Sequence, residues 1–264
     1  MIGKGMTAEV YEWGSDKVVK LFFERFSEDW INYEASIGKV IHEAGVPSPA
    51  VFDIIELDGR KGIIFQRISG TSILSHLQIE PWNIYNYATQ LAALHFRIHR
   101  YTAADLPSQE ERFAVKINSS SKLLGHKEQR ILNYIESLPD GTSVCHGDLH
   151  FNNIIVSDHK LVPIDWTSAY RGNPLGDVAR TCLMMSSPAK PEGASDLIML
   201  LSQSIRWLTY WTYVNEYIRL AKIRFEDIDA WILPVAAAKL RDKIPGEEKW
   251  LMNLISKRIN QLDN

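Results

Sequence analysis

The chain has 264 residues, of which 45% are hydrophobic and 23% charged, and its formal net charge is −3. This length suffices for one large or two small lobes with a real core, and the near-neutral charge excludes a basic field for nucleic acid or anionic membrane. The two cysteines form no disulfide framework or zinc pattern, and the sequence shows no signal peptide and no apolar run of about 20 residues. We therefore predict a cytoplasmic protein with neither a nucleic-acid nor a membrane partner.

The first motif is a glycine-rich stretch near the start of the chain. Residues 3–10, Gly-Lys-Gly-Met-Thr-Ala-Glu-Val, fit the nucleotide-binding pattern G-x-G-x-x-G-x-V, with Ala8 in place of the third glycine. Gly3 and Gly5 would let backbone amides approach a phosphate closely. A short Gly-x-Gly is equally typical of a simple hairpin tip, so both interpretations stay open at this point.

A lysine in an apolar strand follows. Residues 10–22 predict a β-hairpin with Lys20 in its second strand. Ser27 is a suitable N-cap for the next helix, which we predict to stop at Gly45. Glu34 interrupts the apolar stripe of this helix, and a carboxylate that faces a core requires a cation. Lys20 is the candidate cation, although taken by itself it is better explained as a surface lysine on an edge strand.

The middle of the chain passes from strands to helices. Residues 51–65 predict another hairpin, and residues 66–68 form its exit. Helical periodicity then appears at residues 83–100 and 128–138. His95 lies on the apolar face of the first of these helices. We interpret it as a hydrogen-bonded core histidine rather than a metal ligand.

A third hairpin carries the main chemical motif. Residues 154–156 and 161–164 are short apolar runs around a polar turn. Because an antiparallel hairpin returns the chain to the end where it started, Asn153 and Asp165 should lie side by side. An amide oxygen and a carboxylate that converge in this way suit Mg²⁺.

Asp148 precedes Asn153 by five residues and is placed to receive a proton from a hydroxyl nucleophile. The order of the three residues matches H-R-D-x-x-x-x-N followed by a D-F-G-type aspartate, the catalytic pattern of kinases. An alternative is a metal-dependent hydrolase with His146, Asp148 and His150 as ligands. Cys145 ends an apolar strand and is expected to be a buried small hydrophobe rather than a nucleophile.

These motifs resemble the aminoglycoside phosphotransferase and choline kinase family, small-molecule relatives of the protein kinases. The resemblance rests on His146-Gly147-Asp148-x-x-x-x-Asn153 and on Ile164-Asp165-Trp166. Gly147 and Trp166 replace the Arg and Phe that are usual in protein kinases. Residues 171–179 also resemble the family's G-D-P-x-x-D-L-A, with Asn173 for the first Asp, and there Asp177 would brace the catalytic loop.

The resemblance implies an α+β, two-lobed protein-kinase-like fold. A small antiparallel-sheet N-lobe would span residues 1–66 and a mostly helical C-lobe residues 67–264, with ATP between them. The implied site residues are Asp148 as catalytic base; Gly3, Gly5, Lys20, Glu34, Gln66 and Ile68 around ATP; Asn153 and Asp165 as Mg²⁺ ligands; and His146 and Asp177 as supports of the site.

The C-terminal part predicts three helices over residues 195–262. The first of them carries an aromatic and apolar stripe, which we expect to belong to the core rather than to a cage for a quaternary ammonium group. The stripe consists of Trp207, Tyr210, Trp211, Val214, Tyr217 and Ile218.

The sequence therefore predicts an enzyme that transfers the γ-phosphate of ATP to a hydroxyl of a small molecule, with Mg²⁺ as cofactor. Two alternatives remain: a nucleotide-binding pseudoenzyme or regulatory module, and the metal-dependent hydrolase. From Arg171 to Asn264 the chain has 13 Lys and Arg against 11 Asp and Glu. Because a site for a polycation should show an acidic surplus, we expect that the acceptor is not a polycation.

Overall fold

The computed structural model describes residues 1–158, 160–189 and 196–262, the last range without side chains before residue 205. Its N-terminal part contains a five-stranded antiparallel sheet in the order β1-β2-β3-β5-β4. The first two predicted hairpins are confirmed by this sheet. Its strands are β1 (Gly3–Lys4), β2 (Ala8–Trp13), β3 (Lys17–Phe22), β4 (Val51–Leu57) and β5 (Arg60–Gln66).

One helix, α1 (Glu28–Glu43), covers this sheet. Its N-cap is Ser27, as predicted, whose hydroxyl accepts from the N–H of Trp30 at 3.3 Å. The helix packs on β4 and β5 and also reaches the single helical turn at Trp166–Ser168. A Cβ at Gly38 would come within 2.7 Å of Val51 Cγ2, so glycine permits the close approach of helix and strand.

The chain leaves the sheet at Gln66 and enters two small sheets. Strand β6 (Thr71–Ser72) pairs with β8 (Ile154–Ser157), and β8 pairs with β9 (Lys160–Pro163). Strands β7 (Ser143–Cys145) and β10 (Tyr170–Gly172) form the other pair. The third predicted hairpin is thus confirmed, with its second strand ending one residue early.

The rest of the described chain is mostly helical and encloses one large core. Helix α3 packs along α8, and α10 contacts α4, α6, α7 and α11. The helices are α2 (Ile73–Ile79), α3 (Ile84–Ile98), α4 (Gln109–Asn118), α5 (Ser121–Leu124), α6 (Lys127–Glu136), α7 (Pro174–Ser186), α8 (Asp196–Ala221), α9 (Phe225–Asp229), α10 (Ile232–Lys239) and α11 (Glu248–Gln261). The architecture is α+β, and its protein-kinase-like character is confirmed by the structural relatives described below.

The C-terminal prediction needs two corrections. The described part of residues 195–262 contains four α-helices and not three, because left-handed Lys222 ends α8 and the stretch before α11 divides into α9 and α10. Helix α10 is buried on all sides, so it lacks the amphipathic period on which the prediction relied. Trp207 is 65% exposed and lies outside the core, whereas Tyr213, absent from the predicted stripe, is fully buried. No described helix is long and apolar enough to cross a membrane.

Candidate active site

Lys20 and Glu34 form an ion pair between the sheet and the helix that covers it. Lys20 Nζ in β3 lies 2.6 Å from Glu34 Oε1 in α1, and the glutamate side chain is only 4% exposed. Burial raises the pKa of Glu34, and the charge of Lys20 opposes this shift. Burial alone would lower the pKa of Lys20, but Asp165 and Glu34 together raise it. The predicted pair is present, and the lysine is held in its charged form.

Asp165 connects this pair to the helical part of the chain. Its Oδ1 lies 3.3 Å from Lys20 Nζ and accepts from the Thr167 hydroxyl at 3.2 Å. Burial would raise the pKa of Asp165, but the neighbouring Lys20 outweighs it, and the net shift is downward. The backbone of Asp165 is left-handed, with φ of 62°, an uncommon conformation for a residue with a side chain.

Asn153 lies beside Asp165 at the end of the β8–β9 hairpin. Its carbonyl accepts from the N–H of Ile164 at 2.9 Å, and its side-chain Nδ2 donates to the Asp148 carbonyl at 3.1 Å. Because Nδ2 is used in this way, Oδ1 is the end of the amide that remains for a ligand. One amide oxygen and one ionised carboxylate are hard donors, so the two side chains fit Mg²⁺ chemically.

A fully buried carboxylate, Asp177, holds the start of the 146–153 loop. Its oxygens accept from the N–H groups of His146 and Gly147, the latter at 2.8 Å. Gly147 has φ of 76°, and a Cβ there would lie 2.2 Å from the Ser168 carbonyl oxygen, so the position requires glycine. The loop geometry therefore depends on one side chain from α7 and on one glycine.

Two histidines, His95 of α3 and His99 directly after this helix, complete the surroundings of Asp177. His95 Nε2 and His99 Nε2 lie 3.0 and 3.4 Å from Asp177 Oδ2, and their Nδ1 atoms lie 2.7 Å from the hydroxyls of Tyr213 and Tyr217. For His99, whose pKa burial lowers to about 4, a neutral ring with its proton on Nε2 satisfies both contacts. The three side chains are close enough to surround a metal ion, but the same oxygens already accept from two main-chain N–H groups. His95 is thus a hydrogen-bonded core histidine, as predicted.

The hydrolase alternative is not supported by the geometry of His146. Its Nε2 contacts the Ile164 carbonyl at 3.1 Å, and its Nδ1 accepts from the N–H of Asp148 at 3.3 Å. Both ring nitrogens face main-chain groups, so neither is turned to a metal shared with His150. Burial lowers the pKa of His146 and keeps the ring neutral. Cys145 is fully buried, and burial raises the pKa of its thiol far above the usual value.

Arg180 is a site residue that the sequence analysis missed. Its Nη2 donates to Asp148 Oδ1 at 2.9 Å, and its Nη1 donates to Asp242 Oδ2 at 2.7 Å. Burial would raise the pKa of Asp148, but His150 and Arg180 outweigh it and hold that pKa well below its usual value. The sequence signal that could have found Arg180 is its spacing from Asp177. It follows Asp177 by three residues, so both lie on the same face of α7.

The remaining predicted residues lie on the sheet and at its exit. Gly3 is in β1, paired with Val10 of β2, and the N–H of Gly5 donates to the Ala8 carbonyl at 2.9 Å. Gln66 ends β5, and its side-chain oxygen accepts from the N–H of Ala50 at 3.3 Å. Ile68 follows in the connection to β6. Gly3 and Gly5 thus lie in a tight hairpin, and Gln66 and Ile68 lie where the chain passes to the helical part. Their roles in binding ATP stay predictions.

Solved structures confirm the class of fold. The chain aligns with an aminoglycoside-3′-phosphotransferase of type VIII at 17% identity, over 90% of this chain and 92% of that one, with a TM-score of 0.56. A choline kinase from Cryptosporidium parvum aligns at 13% identity, over 99% of this chain and 88% of that one, with a TM-score of 0.55. An aminoglycoside phosphotransferase in a ternary complex with streptomycin and ATP aligns at 13% identity, over 98% of this chain and 90% of that one, with a TM-score of 0.53. At these identities the likeness shows the fold, which is that of the protein-kinase-like phosphotransferases.

The sequence itself shows the family. The model of the phosphotransferase enzyme family matches residues 2–211, most of the chain, and the protein belongs to that family. No curated protein matches the sequence.

The Lys20–Glu34 pair gives a first prediction. We expect Lys20→Met and Glu34→Gln each to lower the free energy of unfolding by about 3 kcal/mol, because each leaves a buried charge or amide without its partner. The double mutant should lose much less than the sum of the two. Urea unfolding of the four proteins measures this coupling.

An exposed pair between the same sheet and helix serves as the control. Lys61 Nζ lies 3.5 Å from Glu28 Oε1, and 34% and 63% of the two side chains are exposed. Because water screens such a pair, its coupling should be much weaker than that of Lys20 and Glu34. Additive losses for Lys20 and Glu34 would contradict the buried ion pair.

His99 gives a prediction for the dependence of stability on pH. Burial lowers its pKa from 6.5 to about 4, so between these pH values the unfolded chain binds a proton that the folded chain does not. Stability should therefore be full above about pH 6.5 and should fall toward pH 4, by about 3 kcal/mol from this group. In His99→Gln the slope over this range should be smaller, while His126→Gln, at an exposed position, should keep it. An unchanged slope in His99→Gln would show that the ring titrates normally.

Proposed function

We propose that the protein transfers the γ-phosphate of ATP to a hydroxyl group of a small molecule. The observation that carries the proposal is a continuous series of contacts from Lys20 to Asp165, through the β8–β9 hairpin to Asn153, and on to Asp148. Family membership supports the reaction class. The relative solved with both streptomycin and ATP supports a nucleotide donor and a small-molecule acceptor.

We place ATP between an N-lobe of residues 1–66 and a C-lobe of residues 67–264. Lys20, held by Glu34, would contact the phosphates, and the backbone at Gln66 and Ile68 would meet the adenine. A Cβ at Gly3 or Gly5 would make only ordinary contacts, at 3.8 and 3.9 Å. Packing within the fold therefore does not require glycine at these positions. Glycine there is explained by the approach of a phosphate to the main chain.

Asn153 and Asp165 would hold Mg²⁺. When bound, the ion neutralises charge on the phosphate oxygens. Lys20 Nζ lies 2.6 Å from Glu34 Oε1 and 3.3 Å from Asp165 Oδ1, so it is attracted to both carboxylates. A cation bound at Asp165 would compete with the lysine for that carboxylate and would leave the lysine to Glu34 and the phosphates.

Asp148 would orient the acceptor hydroxyl and receive its proton. Arg180 and His150 keep its carboxylate ionised, with a pKa well below the usual value. An acid as strong as this is a weak base toward a free alcohol, so orientation of the oxygen is its first contribution. The proton moves to Asp148 as the oxygen–phosphorus bond forms, when the hydroxyl has become much more acidic.

Asp148→Asn tests this proposal. The change keeps the shape and removes the charge, so phosphate transfer should fall by about 10²- to 10⁴-fold while the dissociation constant of ATP changes little. Transfer from γ-labelled ATP is measured with a panel of hydroxylated metabolites and antibiotics as acceptors, and ATP binding by calorimetry. A parent protein that binds ATP but transfers nothing to any compound would indicate a pseudoenzyme.

Asp165→Asn is the matched comparison, because it removes one carboxylate at the other end of the same site. We expect it to abolish the part of the thermal stabilisation by ATP that depends on Mg²⁺, which Asp148→Asn should keep. Equal Mg²⁺-dependent stabilisation of the parent and Asp165→Asn would remove Asp165 from the metal site.

A further inference from the structure

A cavity of about 540 Å³ adjoins the 146–153 loop, three residues of which line it, and its size is typical of small-molecule sites. Its walls come from α2, α3, α7 and α8 and are mainly apolar. The apolar side chains that matter most here are Leu74, Leu77, Ile84, Phe151, Met184 and Met185.

The cavity lies next to the proposed catalytic base. His150, one of its lining residues, has Nε2 at 3.7 Å from Asp148 Oδ2. Thr181, another, donates its hydroxyl hydrogen to the Leu149 carbonyl at 2.9 Å. The end of the cavity formed by His150 and Thr181 therefore lies beside the loop that carries Asp148.

The charges around the cavity limit what it can bind. No Asp or Glu is among the described residues that line it, and Arg206 supplies the only permanent charge among them. Arg206 lies in α8, and its Nη1 donates to the carbonyl of Ser187, a neutral group. Among the described residues of the cavity wall a polycation would find no carboxylate to replace its hydration, whereas one anionic group would meet a guanidinium.

We infer that the phosphate acceptor is a mainly apolar alcohol with a single anionic group. Its apolar body would fill the space beside Leu74 and Met184, its anionic group would bind Arg206, and its hydroxyl would reach Asp148. The inference rests on the proposed function. In the reaction the acceptor oxygen forms a bond to the γ-phosphorus, the bond from that phosphorus to the β–γ bridging oxygen breaks, ADP leaves, and the hydroxyl proton passes to Asp148.

Three sets of probes of equal length test the inference: medium-chain ω-hydroxy acids, the corresponding diols, and the corresponding amino alcohols, with kanamycin as a polycation. Binding is measured by calorimetry without nucleotide, and transfer with γ-labelled ATP and Mg²⁺. We expect the hydroxy acids to bind at least about tenfold more tightly than the diols and amino alcohols, and to be the better acceptors.

Two variants connect the preference to the cavity. Arg206→Met should remove the advantage of acid over diol, and Leu74→Asp should shift the preference toward the amino alcohols. Leu74 is 44% exposed, so the added carboxylate should be tolerated by the fold. The controls are Arg219→Met on the same helix as Arg206, and Ile79→Asp on the same helix as Leu74, where the side chain is 77% exposed. Both controls should keep the preference of the parent.

The outcomes separate this inference from the proposed function. Hydroxy-acid binding that depends on Arg206 supports the cavity assignment even if no phosphate is transferred, a result that would count against the kinase reaction alone. Efficient phosphorylation of kanamycin or the amino alcohols would overturn the inference and leave the reaction standing. Failure of every hydroxy acid to bind, or an unchanged preference in Leu74→Asp, would also overturn it.

Discussion

The site depends first on the solvation of one buried charge, the carboxylate of Asp177. An ion of this kind is stable in a core only if hydrogen-bond donors replace its water shell. Here the donors are two consecutive main-chain N–H groups and the His99 ring, and His95 Nε2 lies 3.0 Å from Asp177 Oδ2. Because the main-chain donors belong to the 146–153 loop, the requirement to solvate Asp177 also fixes the position of Asp148. The histidines are fixed in turn by tyrosine hydroxyls from α8.

Lys20 plays the corresponding part between the sheet and the helical region. It contacts a carboxylate in α1 and a carboxylate after β9. The three charges lie close together, and two of them are largely shielded from water, with 15% of the Lys20 side chain and 4% of the Glu34 side chain exposed. Any ligand that adds negative charge near Lys20, or positive charge near Asp165, therefore changes the balance across the whole connection. This is the physical basis on which nucleotide and metal would act on the relative position of the two parts.

On the other side of Asp148 the environment changes from charged to apolar within a few residues. Arg180 bridges Asp148 and Asp242, so the carboxylate that would face the acceptor is ionised and oriented before any substrate arrives. Thr181, the next residue of α7, already belongs to the apolar cavity. The same helix thus carries Asp177, which holds the loop, Arg180, which binds Asp148, and part of the cavity wall. The contrast between these functions within one helix favours an acceptor with one polar end and an apolar body.

The sequence by itself determined the local parts of this protein. Short apolar runs around turn residues located the three hairpins, the Ser27 cap located α1, and a carboxylate in an apolar helical stripe was enough to pair Glu34 with Lys20. The order of Asp148, Asn153 and Asp165 placed two of them at one hairpin end. All these inferences use contacts within a strand pair or helix, or the rule that a buried charge needs a partner. The tertiary structure alone decided the contacts between distant elements: His99 with Asp177, Arg180 with Asp242, and the cavity between α2, α7 and α8. It also decided that α10 is a separate, fully buried helix, since hydrophobic periodicity disappears where every side of a helix is covered. The exposure of Trp207 was likewise decided by the tertiary structure, since periodicity cannot tell which of two apolar faces the rest of the chain will cover.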